Sequence, residues 1–128
     1  MSIANNYRIA PEDFEASWLG LERSKPGSAI WLASEWVVGC RIDWAEDEPE
    51  KLFEAITLIS MHQLERRERE HLGSGVVEQL LASNFDGFAK RLVALAEKND
   101  NLRDALDFVI VEEEHEDEYS QLLSSITK

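Results

Sequence analysis

Two carboxylate–imidazole pairs stand at helical spacing in this chain, Glu68 with His71 and Glu112 with His115. In di-metal four-helix proteins the same Glu-x-x-His unit comes from each of two helices, and two further helices add one Glu each. Carboxylates and imidazoles converging inside a bundle would hold divalent ions and support metal-assisted chemistry. Their neighbours argue against it. Arg66, Arg67 and Arg69 crowd the first pair, and the second lies in Glu112–Glu118, where six of seven residues are acids. A buried metal centre needs apolar framing, and acid-rich helices produce such pairs by chance. A metal-binding bundle on Glu68, His71, Glu112 and His115 is therefore kept as an alternative, and the main reading places no metal and no cofactor. His62, at the end of an apolar segment, reads as a hydrogen-bonded boundary histidine.

Covalent chemistry has weaker support. Cys40 has no adjacent His and sits in an apolar run, as a small apolar filler does. Gly73-Ser74-Gly75 lacks the Gly-x-Ser-x-Gly spacing of a nucleophile elbow and has no strand before it. Ser24-Lys25-Pro26-Gly27-Ser28 lacks the glycine spacing of a phosphate loop, and Pro26 removes an amide that such a loop would use. Both are expected to be connectors. No catalytic residue is expected, so the chain reads as a non-enzyme.

Charge is more informative. The 128 residues carry 26 acids against 13 Lys and Arg, a formal charge of -13. Every phosphate contact needs a cation, so nucleic acid and anionic membranes are poor direct ligands. The acidity is spread: residues 1–64 hold 11 acids and 5 cations, residues 65–128 hold 15 and 8. Two clusters concentrate it, Asp43 to Glu50 and Glu112 to Glu118. Four tryptophans lie in the first third; Trp18 and Trp36 read as core, whereas Trp44, amid acids, is a candidate apolar anchor. The alternating Glu65–Glu70 run pairs with itself along a helix and is expected to be a solvated face.

The elements that would position these residues read as helical throughout. Pro11 opens a helix with Phe14, Trp18 and Leu21 on one face. Ser28 is the expected N-cap of a segment from Ala29 to about Arg41, apolar nearly all round and hence central, with a buried strand over Trp36–Cys40 as its rival. Asp43 to Glu50 reads as a connector ending in Pro49. A long periodic segment follows through Leu64 into the charged run, and Leu72-Gly73-Ser74-Gly75 is expected to stop it. Ser74 would cap a short helix carrying Val76, Val77, Leu80 and Leu81, Asn84 would begin another, and Lys98–Asn101 would be a turn. Leu122, Leu123 and Ile126 bring the tail back to the core. The expected architecture is an all-α domain over 1–128, of six to eight helices in an irregular bundle or solenoid, with residues 1–10 as a flexible lead-in.

The stretch Leu72-Gly73-Ser74-Gly75-Val76-Val77-Glu78-Gln79-Leu80-Leu81, with the segments that follow it to Val109, resembles an uncharacterised bacterial family catalogued as domain of unknown function 6869. Members read Leu-Gly-Ala-Gly-Pro-Leu-Glu-Asp-Leu-Leu there, after an Asp-Pro-Glu helix start that Asp47-Glu48-Pro49-Glu50 matches loosely, with Glu48 before the Pro. The resemblance spans Trp31 to Val109. Val76 stands where the family has Pro, and the acidic run after Val111 has no counterpart. It implies an all-helical fold and a bacterial origin, and no chemistry.

The N-terminus lacks the basic start and apolar stretch of a signal peptide, Ala29–Cys40 is too short to cross a bilayer, and a lone cysteine makes no intramolecular disulfide. A cytoplasmic, non-catalytic protein that binds a basic protein is the expectation. Its most concrete form is an immunity protein or inhibitor of a basic toxin or nuclease. Asp43, Asp47, Glu48, Glu112, Glu113, Glu114, Glu116, Asp117 and Glu118 would meet its cations and Trp44 would anchor it. A mimic of DNA charge, blocking a nucleic-acid-binding protein, is the other alternative.

Overall fold

The computed structural model describes residues 9–126, so the lead-in expected to be flexible lies, up to residue 8, outside them. Pro11 takes the first position of α1 (Pro11–Arg23), and the Asp13 carboxylate accepts the Ala10 N–H at 2.8 Å, satisfying one orphan donor of the helix start. Phe14 and Trp18 face inward. Gly27, at φ +87°, turns the chain, and Ser28 Oγ accepts the Trp31 N–H at 3.3 Å as the expected N-cap.

The segment expected as one central helix is two helices, α2 (Ala29–Ser34) and α3 (Trp36–Asp47), parted at Glu35. Short α2 lies on α1 where Gly20 makes room: a Cβ there would sit 2.8 Å from Ser34 Oγ. Ile30 and Leu32 are left 63% and 57% exposed. Along α3, Val37, Cys40, Trp44 and Ala45 are buried while Val38 and Ile42 face out. Apolar composition all round therefore does not make a central helix here. The described residues contain no strand, so the rival reading over Trp36–Cys40 falls as well.

Asp43–Glu50 is not a connector. Trp44 continues the Val37/Cys40 spacing, so its burial carries α3 on to Asp47, and Glu48 alone separates it from Pro49 at the head of α4 (Pro49–Ser60). Leu52, Ala55, Ile56 and Ile59 of α4 fill the centre of the core. The chain breaks after Ser60, earlier than its periodicity predicts, because Asn99 and Asn101 donate their side-chain amides to the Ser60 carbonyl at 3.1 and 2.9 Å. Leu64 still inserts into the core, and α5 (Arg66–His71) carries the charged run.

Leu72–Gly75 does not stop the helix. The chain passes through a π-helical turn (Leu72–Val77) straight into α6 (Glu78–Ala96). Gly73 is there for close approach: a Cβ on it would lie 2.0 Å from the Ala105 carbonyl oxygen. Ser74 caps nothing, and its hydroxyl donates to the Glu70 carbonyl. Asn84, the expected helix start, is a kink inside α6 with φ -144° and ψ 46°. Asn99 caps α7 (Asp100–Leu106) by accepting the Leu102 N–H at 2.9 Å. A 3-10 turn (Glu113–His115) leads into α8 (Glu116–Ser124), where the buried Tyr119 donates its hydroxyl to the Leu106 carbonyl. Ile126 is buried and Leu122 and Leu123 pack on the core, as expected of the tail.

The chain is all-α and its buried side chains form one continuous core. Helices distant in order meet, α1 with α4 and α3 with α6, which makes a bundle; a solenoid joins only neighbours. Among the described residues no helix is long and apolar enough to cross a membrane.

Candidate functional site

The two Glu-x-x-His pairs are not brought together. Glu68 is 2% exposed and its carboxylate is filled: Arg23 donates Nε to Oε2 at 2.8 Å and Nη2 to Oε1 at 3.2 Å, and the Glu65 N–H donates at 2.9 Å. The Arg23 hydrogen bond holds this carboxyl below the usual glutamate range, against the opposing effect of burial. His71 Nδ1 meets Glu22 Oε1 at 2.7 Å. His115 lies elsewhere, its ring stacked on Phe85 with centroids 4.1 Å apart, and Glu112 is exposed. Among the described residues no three His, Cys, Asp or Glu side chains group closely enough to hold a metal. The metal alternative fails because both members of the first pair are committed to α1. His62 is a boundary histidine, paired with Glu15.

The Cys40 thiol is completely buried, and burial above all, with Asp43 adding to it, pushes it up to about 12. A thiol so held is no nucleophile at neutral pH.

The acidic clusters, far apart in sequence, converge on the kink of α6. Asn84 donates its side-chain amide to the Ala45 carbonyl, inside the first cluster, and Phe85 carries His115, inside the second. The non-helical backbone at Asn84 lets neighbouring residues face two different elements. The Ile110 N–H on Glu78 Oε1 at 2.9 Å holds the approach to the second cluster against α6. Glu46, Asp47, Glu112, Glu113, Glu114, Glu116, Asp117 and Glu118 are exposed, while Asp43 and Glu48 are half-buried. Among the described residues none of these ten carboxylates has a cation within ion-pair distance. Glu50, at the end of the first cluster, differs: Arg91 donates to both its oxygens at 2.6 and 2.9 Å and lies over the rings of Phe53 and Phe88.

Trp44 cannot be the apolar anchor. It is 0% exposed, stacked on Phe14 with centroids 5.5 Å apart and with the Lys51 ammonium 5.2 Å from its ring. Of the tryptophans read as core, Trp18 is buried and Trp36 is half-buried with its indole N–H on Ser17 Oγ at 3.0 Å. The apolar surface beside the acids comes from Val38, inside the segment expected to be central, and from Ile42 just beyond it. Val38 and Ile42, one turn apart, are 43% and 45% exposed on the side of α3 that carries Glu35 and Glu46. The signal lay in the spacing of Val37, Cys40 and Trp44, which claims the opposite face for the core.

No family model matches this sequence, and no curated protein or solved structure matches it significantly.

Proposed function

We propose that this chain is a non-catalytic cytoplasmic binding protein whose partner is a basic protein, most concretely an immunity protein or inhibitor covering the cationic surface of a toxin or nuclease. The observation that carries the reading is that both acidic clusters reach the Asn84–Phe85 kink and that, Glu50 with its Arg91 apart, none of their carboxylates has an ion-pair partner among the described residues. Such a surface raises association rates with a basic partner and repels nucleic acid and anionic lipid. Val38 and Ile42 give it an apolar centre, since hot spots need desolvated contact and charge alone supplies mainly steering. The carboxylates would occupy the lysines and arginines that otherwise hold substrate phosphates.

The test is affinity capture from the native host with the parent chain and with a Glu113→Lys/Glu116→Lys/Asp117→Lys variant. A basic protein retained at low salt, released by about 0.5 M NaCl and lost on charge reversal supports the reading. A partner that ignores both salt and charge reversal sinks it.

A further inference from the structure

Most of the arginines are committed. Arg23 serves Glu68, Arg91 serves Glu50, Arg69 serves Asp104 and Arg103 serves Asp100. Arg67 donates to the Glu22 carbonyl and Arg66 lies over the Phe108 ring, which leaves Arg41 as the exception among the described arginines. Among the described residues its guanidinium has no hydrogen-bond acceptor and no carboxylate in reach, and its Nε is shut off from solvent. An unpaired, partly desolvated cation costs free energy in any fold, and more is asked of it in a chain with acids to spare.

The surroundings of Arg41 are built to accommodate it. The guanidinium lies over Gly75 in the π-helical turn, where a Cβ would come within 2.7 Å of Nη1. π-turns of this kind occur often at functional sites. Arg41 lines a hollow of about 250 Å³ between α1, α3 and the turn. Leu21, Glu22, Val38 and His71 are shared with an adjoining hollow of about 290 Å³, which Trp31 and Pro26 help to line. One end is therefore cationic and the continuation largely apolar. Glu22, which lines both hollows, is engaged by His71, and Glu35 and Arg67 add one charge of each sign to the lining of the second.

We propose that this groove binds a small organic carboxylate with an apolar body, its head on the Arg41 guanidinium and its body along Leu21, Val38 and Trp31. A guanidinium presents a donor fork that matches a carboxylate with two parallel hydrogen bonds. A monoanion is favoured over a phosphate dianion because Glu22 lines the same hollow and would repel the second charge. Val38 belongs both to this groove and to the apolar part of the proposed partner surface, whereas Arg41 and Gly75 belong to the groove alone, so Arg41→Gln tests this site and charge reversal at Glu113, Glu116 and Asp117 tests the other.

Sodium octanoate is the probe and 1-octanol, with the same chain and no charge, its control. In amide-resolved NMR titrations the full chain should show saturable shifts centred on Gly75, Val38 and Trp31. Octanol should bind at least about tenfold more weakly. Arg41→Gln should weaken octanoate by a similar factor, Arg41→Lys should recover part of it, and Gly75→Ala should weaken it by displacing the guanidinium. Absence of shifts at Gly75 up to about 10 mM octanoate, equal binding by folded Arg41→Gln, or equal binding of octanol overturns the proposal. So does a preference for a peptide C-terminal carboxylate over octanoate. If Arg41→Gln does not fold, the octanol comparison and Gly75→Ala decide on their own.

Discussion

The seam between α1 and α5 and the kinked end of α6 use the same side chains to opposite effect. At the seam, Glu68 and Glu22 each meet a cationic or imidazole partner across about 45 or more residues of sequence, and Glu68 is sealed in the interior. At the kink, the glutamates of the second cluster are exposed and have no ion-pair partner among the described residues. A carboxylate at the seam ties two helices together; one at the kink contributes field and solubility and little to the fold. The difference comes from where arginines are placed, since Arg23 stands opposite Glu68 and, among the described residues, no arginine pairs with Glu112–Glu118. Acidity is thus two properties here, a structural one that substitution should expose as lost stability and a surface one that it should expose as lost association.

The largest expected effect tests whether the first acidic cluster rests on the core. Trp44→Ala should cost about 3–5 kcal/mol in denaturant unfolding, the range for deleting a buried indole. A small loss of stability with a large loss of partner binding would return Trp44 to the surface and erase the contrast. Next, Gly73→Ala should destabilise by about 3 kcal/mol, because the new methyl meets the Ala105 carbonyl, which is backbone and yields only if α7 moves. Glu68→Gln should then cost about 2 kcal/mol by weakening charged hydrogen bonds in the seam. The same residue sets a pH dependence. Its carboxyl lies lower in the folded chain than the unfolded value of about 4.3, so its contribution is full above that value and is lost as pH falls through the folded one. The parent should therefore lose stability on acidification more steeply than Glu68→Gln, and parallel curves would show that Arg23 does not hold the carboxylate. Smallest of all, Glu113→Lys with Asp117→Lys should shift stability by less than about 0.5 kcal/mol in either direction. A substantial loss would mean that the second cluster is structural after all.

Local signals carried the helical class, the Ser28 cap, the turn before α7 and the position of the break at Asn84, because caps and periodicity act over three or four residues. Asn84 has the residue type of a helix start and is a kink, since the chain on either side continues helically. The rest depended on partners remote in sequence. Gly73 looks like a terminator, yet it is small because α7 approaches it. The Asp43–Asp47 acids look like a connector, yet Trp44 has Phe14 to stack on and pulls that turn into α3. Glu68 reads as one more charge in a solvated run; its burial follows from Arg23, which nothing local announces. Neither convergence on the kink nor the isolation of Arg41 could be read from spacing, because both are statements about which distant groups arrive nearby and which do not.

The indoles sit at graded depths, with Trp44 and Trp18 enclosed and Trp36 and Trp31 half-exposed. Two of these chromophores should therefore emit toward the blue, and two should feel water. Trp44 has the ammonium of Lys51 beside its ring, an internal electric field acting on its excited state. Melting of the core and rearrangement of α2 should therefore report at different emission wavelengths from one unlabelled sample.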